Sequence, residues 1–242
     1  MTSARPVAVL TAAGSGSRLG ADVPKALVPL VGEPLVVHAL RALVAAGVEH
    51  VVVTAPADHL PAVRAACAVV GGAQVEVVAG GASRQGSVHA GLRALPPGPG
   101  DACVLVHDAA RPLAPVGLLR RVVAAVCAGH PAVVPALPVT DTVVRVAPER
   151  SDDAGERSLG AVDRTTLRAV QTPQGFPRAL LVAAHEAAAD RAHDEATAAT
   201  DDAALVAALG HDVLVVPGDP LALKITVRHD LAVARLLLEE SR

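Results

Sequence analysis

Thr11-Ala12-Ala13-Gly14-Ser15-Gly16-Ser17-Arg18-Leu19-Gly20, with Pro24-Lys25 close behind, follows directly on the apolar run Arg5–Leu10. The run reads as a buried strand, and the small residues after it read as a loop. Glycines at 14, 16 and 20 permit tight curvature and close backbone approach. Ala12, Ala13, Ser15 and Ser17 keep the concave side free of bulk. The backbone N–H groups of such a loop, faced by fixed cations such as Arg18 and Lys25, can hold a phosphate chain. The spacing is not G-x-x-x-x-G-K-[ST], so a Walker A loop is excluded. It also fits G-x-G-x-x-G poorly. Glu33 stands in the turn Val31-Gly32-Glu33-Pro34 and not at the tip of a second strand, where a ribose-binding acid about 20 residues on would lie. Taken alone, the stretch also reads as a plain glycine turn.

Working outward, strands alternate with helices. Leu35, Val36, Leu40, Leu43 and Val44 form a helical face that opens at Pro34 and ends at Gly47. Val48–Thr54 reads as a strand, Pro56–Ala68 as a helix, and Val75–Val78 as a strand. Ala79-Gly80-Gly81-Ala82-Ser83-Arg84-Gln85-Gly86-Ser87 follows, with a helix from about Ser87 to Leu95. Ala102–Val106 is a strand running into His107-Asp108-Ala109-Ala110-Arg111-Pro112. Val116–Cys127 is helical, and Ala132–Pro135 begins a fifth strand. Continuously apolar strands suit a parallel sheet covered on both faces, with ligands at the carboxyl ends of the strands. The polar insertions after the first, third and fourth strands all fall at that edge.

Residues 138–170 break the rhythm. Val139–Val146 reads as a strand, Pro148–Gly155 as a charged turn, and Leu159–Thr166 and Arg168–Gln171 as extended returns. The simplest geometry is a long hairpin projecting from the sheet, whose edges a second subunit would cover. Beyond Thr172-Pro173-Gln174, a helix from Pro177 to about Asp190, a helix over Asp202–Leu209, a strand at Val213–Pro217 and a last helix over His229–Glu240 complete one domain, 1–242. His185, Arg191 and His193 read as solvent-facing.

The composition narrows the function. There is no Trp or Tyr, and Phe176 is the single Phe, which argues against aromatic sugar platforms and base-stacking surfaces. With a net charge of −3 and no block of Lys or Arg, a nucleic-acid partner is not expected. Cys67, Cys103 and Cys127 lie in apolar contexts and read as buried thiols of a reducing compartment. No charged leader precedes a long apolar stretch, and no run reaches ~18 apolar residues. A soluble, cytoplasmic protein with no membrane partner is the expectation.

The chemistry collects at the sheet edge: Arg18, Lys25, Arg84, Ser87, Asp108, Arg111 and Lys224. Several cations around one carboxylate call for an anionic ligand, and a triphosphate fits. Asp108 can bind a hydroxyl or help hold a magnesium ion on phosphate oxygens, or it can simply pair with Arg111 across a turn. There is no G-x-S-x-G elbow, and no base stands near a cysteine. His107, at the end of a buried strand, reads as a structural hydrogen-bonder. Positioning and charge stabilisation, as in phosphoryl-type transfer, suit this set better than covalent catalysis.

Ala12-Ala13-Gly14-Ser15-Gly16-Ser17-Arg18, Pro24-Lys25, Val106-His107-Asp108-Ala109-Ala110-Arg111-Pro112, Val162-Asp163-Arg164 and Thr172-Pro173-Gln174 together resemble the 2-C-methyl-D-erythritol 4-phosphate cytidylyltransferase family. The resemblance implies an α/β, Rossmann-like three-layer nucleotidyltransferase fold, mostly parallel, with residues 138–170 as a dimerisation and substrate-binding arm. It implies a cytidylyltransferase that joins CTP to methylerythritol phosphate, with Mg2+ on the triphosphate and a homodimer as the working form. Arg18, Lys25 and Lys224 match catalytic residues on the phosphate side. The loop Ala12, Ala13, Gly14, Ser15 and Gly16, with Gly81, Ala82 and Ser87, matches the nucleotide pocket. Asp108 matches the carboxylate that contacts the methylerythritol moiety near the metal, and Arg111 belongs to the same motif. Thr142, Arg164 and Thr166 match the arm, which in the family reaches the partner's site and helps bind the substrate phosphate. Departures are Ala82 and Ala222, where the family often has an acid and an asparagine, and Asp202, one methylene shorter than the usual glutamate. A ribitol 5-phosphate cytidylyltransferase shares the core motifs. A non-catalytic nucleotide-binding protein would need fewer cations than Arg18, Lys25 and Lys224.

Overall fold

The opening apolar run is strand β1 (Val7–Thr11), and its side chains explain the whole architecture. Successive strand residues point to opposite faces. Ala8 and Leu10 enter one buried cluster while Val9 enters another. A strand apolar at every position must be covered on both sides, and this one is. Burying each large aliphatic side chain is worth roughly 1.5–3 kcal/mol, so two-sided cover is strongly favoured.

A computed structural model of the chain describes residues 5–14, 16–21, 23–150, 155–194 and 197–240. After β1 come β2 (Pro29–Leu30), β3 (Glu33–Pro34), α1 (Leu35–Ala45), β4 (His50–Ala55), α2 (Leu60–Cys67), β5 (Gln74–Ala79), α3 (Arg84–Ala94) and β6 (Cys103–Asp108). Then follow α4 (Val116–Cys127), β7 (Val133–Pro138), β8 (Val144–Arg150), β9 (Glu156–Ala161), β10 (Arg168–Val170) and β11 (Gln174–Pro177). The chain closes with α5 (Arg178–Ala187), α6 (Asp202–Ala208), β12 (Leu214–Pro217) and α7 (Arg228–Glu240). The main sheet has the order β10-β7-β11-β6-β1-β4-β5, with β12 alongside β7. Pairs β1–β4, β1–β6, β4–β5 and β7–β12 are parallel; β11 and β10 run antiparallel to their neighbours. Helices α1, α2 and α4 cover one face, and α3, α5 and α6 the other. The mostly parallel, three-layer fold read from the sequence is the one observed.

Several elements differ in detail from the sequence reading. The helix placed at Ser87 begins at Arg84, because the Ser83 hydroxyl accepts from Gly86 N at 2.9 Å and caps it. That cap puts Arg84 in the first turn. The strand read from Val139 starts at Val144, and the extended segment read to Thr166 ends at Ala161 in a short 3-10 turn, Arg164–Thr166. Strands β8 and β9 form their own antiparallel sheet, separate from the main one. Of the turn read over Pro148–Gly155, the first three residues belong to β8 and residues 151–154 lie outside the described residues. Cys67 and Cys103 are buried, whereas Cys127, at the last turn of α4, is exposed. His185, read as solvent-facing, is 1% exposed, because the inward face of α5 carries it against α6.

Gly91 sets the spacing between α3 and the sheet. A Cβ there would stand 2.5 Å from Val9 Cγ1 and 3.1 Å from Thr54 Cγ2. Gly91→Ala is therefore expected to cost about 1–3 kcal/mol through overpacking. Urea denaturation measures this, and an unchanged midpoint would show that the layers have slack at this contact.

Candidate active site

The parallel register brings three strand ends level. Thr11 lies beside Asp108 on β6 and beside Thr54 on β4. The loops that leave this edge enclose a cavity of about 490 Å³. Its floor is the first loop, with Ala12, Ala13, Gly14, Gly16, Arg18 and Lys25. Its walls are Gly81, Ala82, Arg84 and Ser87 on one side and Asp108, Ala109, Ala110 and Lys224 on the other.

The first loop has the curvature its sequence calls for. Gly16 has φ 73°, and a Cβ there would come within 2.9 Å of Lys25 N. Only glycine lets the loop fold back on the lysine it presents. Lys25 Nζ donates to the Ile225 carbonyl at 3.2 Å, which ties the loop to the segment carrying Lys224. A second tie comes from α7. Arg228 Nε donates to Leu19 O at 3.0 Å and its Nη2 to Gly20 O at 3.2 Å. Asp230 accepts from Thr226 N and Val227 N at 2.7 and 2.9 Å. The last helix thus fixes both cationic segments, and the amino-terminal strand alone does not.

Asp108 is the electrostatic centre. Its Oδ2 meets Lys224 Nζ at 2.9 Å, and its Oδ1 meets Arg84 Nε at 3.4 Å and accepts from the Thr11 hydroxyl at 3.2 Å. Burial alone would raise its carboxyl, but Arg84, Lys224 and Arg111 outweigh it and hold the group ionised, far below the usual carboxylate range. Lys25 is pushed down by burial, then by Lys224 and Arg18, with Asp108 opposing. Crowded cations of this kind gain most when an anion arrives among them.

Ser87 supports the wall. Its hydroxyl accepts from Gly81 N at 3.1 Å and donates to Ser83 O at 2.9 Å, which holds the Gly80–Gly81 bend. Arg111 does not line the cavity; its backbone N donates to Asp108 O at 2.9 Å across the turn, but its guanidinium makes no ion pair with the Asp108 carboxylate. Its guanidinium donates to Ala222 O at 2.6 Å and Val170 O at 3.3 Å, bracing the loop before Lys224. Thr142, Arg164 and Thr166 also lie away from the cavity of their own chain; Arg164 donates to the Thr140 carbonyl. Ser15 falls outside the described residues. Sequence reasoning missed Asp202, which meets Arg84 at 2.8 Å from behind the cavity wall. A carboxylate at the start of a helix reads locally as a cap, and nothing nearby in the chain signals its partner.

His107 is fully buried and shares a 3.0 Å hydrogen bond through Nδ1 with the Thr172 hydroxyl, which also accepts from Asp108 N at 3.1 Å. It holds the strand end, as a structural histidine would. Burial pushes its imidazole from 6.5 down to about 4, with Asp108 only partly opposing. The folded chain therefore keeps the ring neutral while the unfolded chain takes up a proton. Stability is present above the unfolded value and is lost as pH falls from about 6.5 toward 4, by roughly 3 kcal/mol. Urea denaturation across that window tests this: His107→Gln is expected to flatten the acid limb, and an unchanged slope would place the titration elsewhere.

A glycine loop, level strand ends and clustered cations around one ionised carboxylate, on a mostly parallel three-layer sheet, define a nucleotidyltransferase. The family model for 2-C-methyl-D-erythritol 4-phosphate cytidylyltransferase matches residues 7–240, and the chain belongs to that family. It is 51% identical over 238 residues to 2-C-methyl-D-erythritol 4-phosphate cytidylyltransferase of Saccharopolyspora erythraea, covering 96% of this chain and 98% of the relative. It is 48% identical to the protein of the same name from Streptomyces avermitilis, covering 100% and 94%. Among solved structures, the crystal structure of 2-C-methyl-D-erythritol 4-phosphate cytidylyltransferase from Thermus thermophilus superposes with a TM-score of 0.75 at 38% identity, covering 97% of this chain and 99% of that one.

Proposed function

We propose that this chain transfers the cytidylyl group of CTP to 2-C-methyl-D-erythritol 4-phosphate, releasing pyrophosphate, in non-mevalonate isoprenoid biosynthesis. The observation that carries this reading is the cavity in which Arg18, Lys25 and Lys224 surround Asp108, the one carboxylate that lines it among the described residues. The loop from Ala12 to Gly16, with Gly81, Ala82 and Ser87, forms the nucleoside end. Arg18 and Lys25 face the triphosphate and steady the charge that develops as the substrate phosphate attacks the α-phosphorus in line. Lys224 and Asp108 take the polyol phosphate. The attacking group is the substrate's own phosphate, so the protein needs no nucleophile.

Asp108 also fits a magnesium ion held mainly by phosphate oxygens. Such ions take one or two carboxylates and fill their other positions from phosphates and water. Among the described residues no cluster of three or more His, Cys, Asp or Glu side chains could hold a metal alone. Bound there, the ion would neutralise phosphate charge. Residues 138–170 act as the arm of a homodimer, bringing Thr142, Arg164 and Thr166 to the partner's cavity, and Arg111 braces the Lys224 segment from below. Val144 and Leu159 are 46% and 51% exposed on this hairpin, apolar surface that a second subunit would cover. Among the described residues no helix is long and apolar enough to cross a membrane, and the cytoplasm is the proposed location.

Pyrophosphate release from purified protein with CTP and either methylerythritol phosphate or ribitol phosphate tests the reading. Turnover preferring methylerythritol phosphate is expected. A strong preference for ribitol phosphate would overturn it.

A further inference from the structure

Arg84 reaches Asp108 only at 3.4 Å, whereas its Nη1 meets Asp202 Oδ2 at 2.8 Å. Asp202 does not line the cavity and is 1% exposed, so it meets no substrate. Its other oxygen lies 2.9 Å from His185 Nε2, itself buried on α5. Capping does not account for this carboxylate. The cap of α6 is Asp201, whose side chain accepts from Ala204 N at 2.8 Å. Asp202 is anchored through its backbone instead: Gln174 Oε1 accepts from Asp202 N and Ala203 N, both at 3.1 Å. Gln174 belongs to β11, which pairs directly with β6, the strand that ends in Asp108. The start of α6 is thereby tied to the strand that presents the central carboxylate.

We propose that Asp202, backed by His185, is a positioning residue that anchors Arg84 on the far side of the cavity wall and so keeps the Asp108 carboxylate available to Lys224 and the polyol phosphate. The proposal rests on the function proposed above for the identity of that substrate. Burying a carboxylate is costly and is offset only by well-placed partners. Here the partners form a line, Asp108, Arg84, Asp202, His185, that begins at the cavity and ends between two helices. Arg84 and His185 hold Asp202 ionised in spite of its burial, and the two carboxylates together keep Arg84 firmly protonated. Without the Asp202 charge, the guanidinium would turn toward Asp108, which it already meets at 3.4 Å. It would close on Asp108 and compete with Lys224 for it.

Asp202→Asn is expected to lower kcat/KM for methylerythritol phosphate about tenfold, the size of a lost charge-assisted hydrogen bond, while KM for CTP stays within about twofold. In an Arg84→Gln background the same substitution is expected to have no further effect, since coupled residues are non-additive. Undiminished kcat/KM in Asp202→Asn, or an equal loss in both backgrounds, would overturn the proposal. Should Asp202→Asn fail to fold, His185→Gln carries the test. It is expected to lower kcat/KM about threefold and to lose that effect beside Arg84→Gln; an unchanged or additive result overturns the proposal. The side-chain Nε–H NMR resonance of Arg84 reports the anchoring without turnover. It is expected to be sharp in the native protein and broadened in the folded variant, and an unchanged resonance would overturn the proposal whatever the substrate. Absence of pyrophosphate release from the native protein would instead overturn only the proposed function.

Discussion

Lys25→Ala is expected to lower kcat about 1,000-fold while weakening CTP binding less than about tenfold. The difference follows from where the lysine stands. It sits in a 3-10 turn, Lys25–Leu27, held to Ile225 O on one side and pressed against the fold of Gly16 on the other. Burial and the charges of Lys224 and Arg18 disfavour its protonated form, with Asp108 opposing. A ground-state triphosphate spreads its charge over many oxygens and several partners. The extra charge that develops during transfer falls near the α-phosphorus and the leaving pyrophosphate, where a pre-positioned ammonium is worth most. An interaction stronger in the transition state than in the bound state appears in kcat and not in binding. Pyrophosphate release gives kcat, and calorimetry with CTP gives Kd. Equal losses in the two would make Lys25 a simple nucleotide-binding residue.

The second large effect concerns the arm. Homodimers of Lys25→Ala and of Arg164→Ala are each expected to be nearly inactive. Mixed by co-expression, they are expected to recover about a quarter of the native activity, because half the dimers are mixed and one of their two sites is intact. Arg164 lies away from its own cavity and donates to Thr140 O, and among the described residues β8 and β9 pair only with each other. On the proposed dimer, a substrate phosphate bound by Arg164 would sit in the partner's cavity. Activity in the mixture that merely averages the two parents would place the arm's action within its own chain or remove it from catalysis. Subunit exchange between the purified homodimers provides a second route to the same measurement.

Local chemistry made much of this protein legible. The strand before Thr11 and the glycines that follow it depend on neighbours within a few residues. Their patterns are therefore visible in the chain. Arg18, Lys25, Arg84, Asp108 and Lys224 could be gathered at one edge because parallel strands end together. The burial of His185 and the bracing by Arg111 are not visible in the chain for one reason: the partners that define them are distant in sequence. His185 reaches Asp202, and Arg111 reaches the carbonyls of Ala222 and Val170. A lone histidine on a helix with no spaced companion looks solvent-facing until another helix packs on it.

By itself, the sequence determined the alternation of strand and helix, the two-sided burial of β1 and the small-residue loop with its cations. Hydrophobic period and backbone freedom are short-range properties. Only the tertiary structure decided which cation meets which carboxylate. Asp108 divides its two oxygens between Arg84 and Lys224, and Arg84 leans more closely on an acid behind the wall. Charge pairing depends on distance and burial in space, and these are set when the layers close and water is excluded from between them.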